Sequence, residues 1–384
     1  MKPVVLMLLM VTGLLGGCSW FGDEDNSEPP AELESFERQV DLKKIWSRST
    51  GNGTDEQFIK LVPTVAGQRV YVADRKGTVS AVEIETGKVV WRTKTDIAIS
   101  AGTGVGEGLA LVGSSEGDLV AFDAESGEIR WRTEVSSEVL SVPQVYEGVV
   151  IVQTVDGNLA GLDAGSGEVL WIHDRSVPVL TLRGTSTPLV ADGVVLAGFA
   201  NGKMTALETE SGREIWEAAV AIPHGRTELQ RIVDLDANPV VRQGVLYVTS
   251  YQGRLVAISL QDGRVLWNRD MSSYAGLDVD NRHVYVSDSD SEVWALDRLS
   301  GGSLWKQGAL RQRALTGPAI IGDYVGVGDF EGYLHLLSRL DGSIAGRVRV
   351  DSDGISAAPI AVFGDRMLVL GAGGTLALYQ LEPA

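Results

Sequence analysis

Apolar residues fall in short blocks divided by glycine-bearing turns, and the blocks repeat. The segment GTVSAVEIETGKVVW (77–91) returns as GDLVAFDAESGEIRW (117–131), GNLAGLDAGSGEVLW (157–171), GKMTALETESGREIW (202–216) and GRLVAISLQDGRVLW (253–267). Two further copies are altered: SEVWALDRLSGGSLW (291–305) begins with Ser291, and GYLHLLSRLDGSIAG (332–346) has Gly346 in place of tryptophan. An eighth, GTLALYQL (374–381), stops halfway. The residues two to five places after the opening glycine are apolar in most copies, as Leu119, Val120, Ala121 and Phe122 are. A strand apolar on both faces is buried on both faces. Thr86-Gly87, Ser126-Gly127, Ser166-Gly167, Ser211-Gly212 and Asp262-Gly263 then supply the positive φ that a tight hairpin needs.

The copies start 38 to 51 residues apart, the spacing of one four-stranded propeller blade per repeat. The half-copy at the C-terminus has its complement in VDLKKIW (40–46), a tryptophan-bearing end with no beginning. The pattern predicts an all-β chain: an eight-bladed β-propeller of four-stranded antiparallel blades, closed by the N-terminal strand pairing into the C-terminal blade. Trp46, Trp91, Trp131, Trp171, Trp216, Trp267 and Trp305 recur once per unit on the last strand, so they are read as structural, filling the gaps between blades. Trp20 and Trp294 lie off this register.

The first residues do not belong to the repeat. Residues 1–17 combine Lys2, an apolar run too short to span a bilayer and the small pair Gly16-Gly17, which is the layout of an export signal. Leu15-Gly16-Gly17-Cys18 resembles the bacterial lipobox, which implies cleavage before Cys18 and lipidation of that cysteine. Ser19 rather than Asp follows it, which in Gram-negative lipoproteins implies the periplasmic face of the outer membrane. Residues 18–38 are acidic and contain Pro29-Pro30, so they are read as a flexible tether to a single propeller domain over 39–384. The formal charge of -18 becomes -19 once Lys2 is removed with the leader. That charge opposes nucleic acid and anionic surfaces.

Candidate chemistry is sparse. With Cys18 lipidated no thiol is left for a disulfide, and His173, His224, His283 and His335 are too far apart for a metal-ligand spacing. Asp288-Ser289-Asp290-Ser291-Glu292 lacks the glycine and the distal glutamate of a calcium loop. No catalytic residue, cofactor or metal site is assigned. The unit A-[FLV]-[DE]-x-x-[ST]-G-x-x-x-W resembles that of the quinoprotein alcohol dehydrogenases, which would imply a periplasmic enzyme using pyrroloquinoline quinone and calcium. The adjacent cysteines of that family are absent here.

A lipid-anchored, acidic propeller without those residues resembles the BamB family, lipoprotein subunits of the BAM machine that inserts outer-membrane β-barrels. The likeness spans the chain from lipobox to closing strand. It rests beyond the repeats on Leu180-Thr181-Leu182-Arg183-Gly184 and on Asp234-Leu235-Asp236 ahead of Pro239. It implies a non-enzymatic scaffold that docks through Leu180, Leu182, Arg183, Asp234 and Asp236 on the periplasmic POTRA domains of the barrel subunit BamA. Unfolded outer-membrane protein chains are a further class of partner to be considered.

Loop lengths single out the same two segments without the family. Trp131 to Pro143 is 12 residues and Trp305 to Pro318 is 13, whereas Trp171 to Pro188 is 17 and Trp216 to Pro239 is 23; Trp46 to Pro63 is also 17. Two long loops in consecutive blades emerge side by side on one face. They bring Leu180, Leu182 and Arg183 beside Ile222, His224, Arg226, Leu229, Arg231, Asp234 and Asp236. One reading is an interface with an apolar centre and a charged rim. The other is that the leucines fold back to plug the ring and a carboxylate holds Arg183.

Overall fold

The computed structural model describes residues 28–182, 184 and 186–384. The expected leader, Cys18 and Arg183 lie outside the described residues. Eight four-stranded antiparallel sheets follow one another along the chain: blade 1 (64–94), blade 2 (104–134), blade 3 (144–174), blade 4 (189–219), blade 5 (240–270), blade 6 (276–307), blade 7 (319–349) and blade 8 (360–383 with 40–49). In blades 1 to 7 the strands run outward in chain order. In blade 8 the outermost strand is Val40–Ser49, paired antiparallel with Thr375–Pro383 from Val40 opposite Pro383 to Ser49 opposite Thr375. The eight-bladed ring closed by the N-terminal strand is therefore what folds.

Burial follows the repeat. In the third strand of blade 2, Leu119, Val120, Ala121 and Phe122 are all fully buried, because one face packs on the preceding blade and the other on the next. In the outermost strand of blade 2, Ile129–Glu134, Arg130, Arg132 and Glu134 are exposed and Trp131 is buried, and in the other blades that have one the tryptophan is buried or half-buried. Each repeat tryptophan uses both of its capacities. Its indole N–H donates to a carbonyl in the following blade: Trp46 to Ile84, Trp91 to Ala124, Trp131 to Ala164, Trp171 to Thr209, Trp216 to Leu260, Trp267 to Arg298 and Trp305 to Arg339, at 2.9 to 3.1 Å. Its ring lies on the turn glycine of that blade, so closely that a Cβ on Gly127 would stand 2.5 Å from Trp91. With φ of +75° as well, Gly127 is fixed by both the turn and the ring above it.

One consequence is measurable at a single blade junction. Trp131→Ala is expected to lower stability by about 3–5 kcal/mol through the cavity it leaves. Trp131→Phe, which keeps a ring but gives up the N–H, should cost about 1 kcal/mol. Urea midpoints of the two variants check the order, and a Trp131→Phe midpoint equal to the parent's would remove the hydrogen bond from the account.

Gly346 now has a physical reason. Blade 8 has no turn before its outermost strand, since that strand enters from the other end of the chain, and so there is no turn glycine for a blade 7 tryptophan to cover. The entering residue fills the place: Val40 is buried, and a Cβ on Gly346 would lie 2.8 Å from its carbonyl oxygen.

Folded contacts begin before the boundary drawn at residue 39. The Ala31 N–H donates to the Arg311 carbonyl and the Gln39 N–H to that of Ala345. Leu33 packs into an apolar socket with Leu310, Leu315 and Val327, and Arg347 lies over the Phe36 ring at 5.0 Å. The described part of the expected tether thus runs from the loop that enters blade 7, residues 308–318, to the outermost strand of that blade.

Behind it is a buried polar cluster. Asp329, fully buried, accepts from Arg313 Nε at 2.8 Å, from His335 Nε2 at 2.9 Å and from the N–H groups of Glu331 and Tyr333. Arg347 Nε donates to His335 Nδ1 at 3.1 Å, so the imidazole is neutral with its proton on Nε2. Burial pushes His335 down as well, in the same direction. Arg313 and Arg347 then each spend an Nη1 on the N-terminal segment, at the carbonyls of Ala31 and Glu34.

Candidate functional site

Antiparallel strand order puts the loops between blades and the turns between second and third strands on one face of the ring. All three long loops lie there. The loop of residues 175–188 enters blade 4, that of residues 220–239 enters blade 5, and that of residues 50–63 enters blade 1.

The two consecutive loops are joined. The Leu182 N–H donates to the Asp234 carboxylate, and the Thr187 N–H donates to Asn238 Oδ1 at 2.8 Å. Gly184 passes so close to Asp236 that a Cβ there would stand 2.8 Å from the carboxyl carbon. The second loop is held from below, since the Tyr251 N–H donates to the Asp234 carbonyl and Leu235 is buried against Gly198 in the core of blades 4 and 5.

This geometry divides the expected site residues by role. Leu180 is 42% exposed and Val179 88%, and Ile222 and Leu229 of the second loop are exposed too, so the outward leucine does not plug the ring. Leu182 is half-buried, with its N–H spent on the neighbouring loop. The charged rim expected from Asp234 and Asp236 is corrected: Asp234 is 1% exposed and Asp236 half-buried, so both lie beneath the apolar patch. Between the two acids, Leu235 turns inward and is 2% exposed in the core of blades 4 and 5.

Burial pushes the Asp234 carboxyl up to about 7, reinforced by the neighbouring Asp236 and opposed by the Leu182 N–H. Burial likewise lifts Asp236 to about 6 against the pull of the Lys60 ammonium. A carboxyl raised above its unfolded value contributes stability below about pH 4 that is lost as the pH rises through its folded value. Asp234→Asn keeps an acceptor for the Leu182 N–H without the charge. It is expected to gain stability relative to the parent between about pH 5 and about pH 8. Urea midpoints of both proteins at the two pH values check this, and a constant difference would clear Asp234 of the shift.

Lys60 also donates to the Tyr274 carbonyl at 3.1 Å, tying the blade 1 loop to the loop that enters blade 6. Phe58, two residues earlier, is 96% exposed on the same face. Sequence reasoning missed it; the 17-residue spacing from Trp46 to Pro63 was the available signal. A cavity of about 460 Å³ opens beside the second loop, lined by Ala221, Ile222, His224, Gln252, Arg254 and Asp270. Among the described residues no group of three or more His, Cys, Asp and Glu is placed to hold a metal ion.

What the arrangement offers is a patch of exposed apolar side chains on loops braced from beneath. Known proteins share the fold and much of the sequence. A family model described as outer membrane protein assembly factor BamB matches residues 39–98 and 75–307. The chain is 49% identical over 375 residues to the protein of that name from Pseudomonas aeruginosa, with 98% of each covered. Among solved structures it superimposes on BamB from Moraxella catarrhalis with a TM-score of 0.81 at 30% identity, covering 88% of this chain and 99% of that one. The quinohemoprotein alcohol dehydrogenase of Comamonas testosteroni superimposes with a TM-score of 0.71 at 14% identity, covering 88% and 76%, a likeness of fold alone.

Proposed function

The chain belongs to the family of outer membrane protein assembly factor BamB, and we propose that it works as a non-enzymatic accessory subunit of the β-barrel assembly machinery, docking on the POTRA domains of BamA. The observation that carries the docking site is the joined pair of loops, in which a buried Asp234 fixes the Leu182 backbone while Leu180 stays exposed. Exposed apolar area held on a braced scaffold loses little conformational freedom on binding, which is what a docking hot spot needs.

Leu180, Leu182 and Arg183 make the contact in this reading, Arg183 as a planar fork for a partner carboxylate or carbonyl. Asp234 and Asp236 act from beneath as positioning residues. Cys18 carries the lipid, which puts the propeller on the periplasmic face of the outer membrane. A quinoprotein enzyme has no support in the residues, because Cys18 is the chain's only cysteine.

Replacing Leu180, Leu182 and Arg183 together by alanine tests the reading. Co-purification with BamA from detergent-solubilised outer membranes should be lost while thermal unfolding is unchanged within a few degrees, since Leu180 lies outside the core. Undiminished co-purification would move the docking site elsewhere. Reconstitution with quinone and calcium should leave no quinone absorbance on the protein.

A further inference from the structure

A propeller has eight outward edges, each a row of backbone groups able to accept another strand, and soluble proteins guard such rows with charge or cover. On the outermost strands the residue after the tryptophan, or in its register, is Arg92, Arg132, Glu217, Asn268, Lys306, Arg347 and Ser47 in seven blades, all polar. The edge of blade 7 has cover besides, from the segment that ends in the Gln39 to Ala345 bond. Blade 3 is the exception. Its outermost strand, Val169–Asp174, has Ile172 at that position, 60% exposed, with Leu170 at 53% in the bulge ahead of the tryptophan.

The backbone of this edge faces outward in a defined register. The Arg175 N–H donates to the Gly157 carbonyl, so by antiparallel alternation Trp171 and His173 spend their backbone groups on the strand Asn158–Asp163. Those of Ile172 and Asp174 point away from the sheet, and no described residue pairs with them. After Asp174, Arg175 and Ser176 the chain presents Val177, Val179 and Leu180, all exposed, in the loop assigned above to docking.

We propose that the edge of blade 3 is a strand-addition site, and that its occupant is an extended segment of an unfolded outer-membrane β-strand. A bare row of N–H and C=O groups selects an extended backbone, and the exposed Ile172 selects an apolar residue opposite it, which in an extended strand sets the face on which every second residue is apolar. Alternation of that kind is the signature of a barrel strand with one face to lipid. A second copy of this chain is the poorer fit, since two chains of formal charge -18 repel. The inference rests on the assembly role for the identity of the occupant, not on the docking residues.

The experiment uses the full chain and a synthetic peptide of about ten residues with alternating valine and threonine, the length of one barrel strand. Peptide binding is read by fluorescence anisotropy and its position by amide hydrogen exchange. Protection is expected over residues 169–174 and not on the other seven edges. Ile172→Pro removes one outward N–H and no ladder bond, so it should fold and bind about tenfold more weakly. Ile172→Lys, which keeps the N–H but guards the edge, should weaken binding too, as a check independent of proline. Protection spread over all blades, peptide affinity indifferent to both substitutions, or a dimer that forms through this edge without peptide would each overturn the site. Loss of BamA co-purification in the Ile172 variants would also overturn it, as the edge would then belong to the docking surface. The alanine triple variant should bind peptide normally, so failure of the docking site and failure of this edge are told apart.

Discussion

Gly346→Trp, the substitution that completes the repeat, is expected to weaken the ring. In every other junction the tryptophan ring rests on a turn glycine of the next blade. At the junction of blades 7 and 8 no such turn exists, and the space holds the backbone of Val40, whose carbonyl oxygen would stand 2.8 Å from even a Cβ. Backbone that is itself paired with Pro383 cannot give way without loosening the closing strand. Overpacking of this kind costs about 1–3 kcal/mol for small additions, and an indole driven against the strand should exceed that range. The expected result is a lower urea midpoint together with faster amide exchange over residues 40–44. Gly346→Ala should show the same change more weakly. A variant as stable as the parent would mean that the missing tryptophan is a chance loss rather than a requirement of closure.

Asp329→Ala should be the more damaging single change in blade 7. The carboxylate is shared by Arg313, His335 and two backbone N–H groups in a site with no access to water. Burial alone would lift its pKa, yet His335, the Tyr333 N–H and Arg313 hold it below the usual carboxylate range. Removing it leaves a guanidinium that is 3% exposed with the half-exposed Glu331 as its one remaining carboxylate, and since breaking a buried pair from one side costs about 3–5 kcal/mol, the loss is expected at the lower end of that range. The effect should reach the N-terminal segment, because Arg313 also holds the Ala31 carbonyl. Limited proteolysis is therefore expected to cut between residues 28 and 38 in the variant while the parent resists. Cutting at equal rates in both would detach the cluster from the segment.

What was legible in sequence was whatever recurs. Gly127 and Trp91 announce their turn and their junction because the same pair returns six more times, and the split repeat at the two ends announced closure. The two joined loops were visible as departures in length from that period. The burial of Asp234 was not, because an acid between Val233 and Leu235 reads the same whether it faces water or a backbone N–H fifty residues away. Phe58 and Lys60 were missed for a related reason, since the loop bearing them meets Tyr274 across the ring and leaves no periodic trace. The cluster of Arg313, Asp329, His335 and Arg347 likewise consists of residues scattered over two strands, a turn and a loop. His335 gave no sign in sequence of being other than a surface or packing residue.

The closing strand also sets an order of events. Val40–Ser49 is among the first parts of the folded body to be made, and its partner Thr375–Pro383 is the last. Until the C-terminal residues have arrived, the early strand has nothing to pair with and blade 8 cannot form. A contact spanning more than three hundred residues is slow to find, and it delays final locking until the whole chain is present. For an exported protein that delay keeps the polypeptide threadable during passage. It also means that a copy broken off a few residues early leaves the ring open and two edges bare, a defect that proteases can recognise.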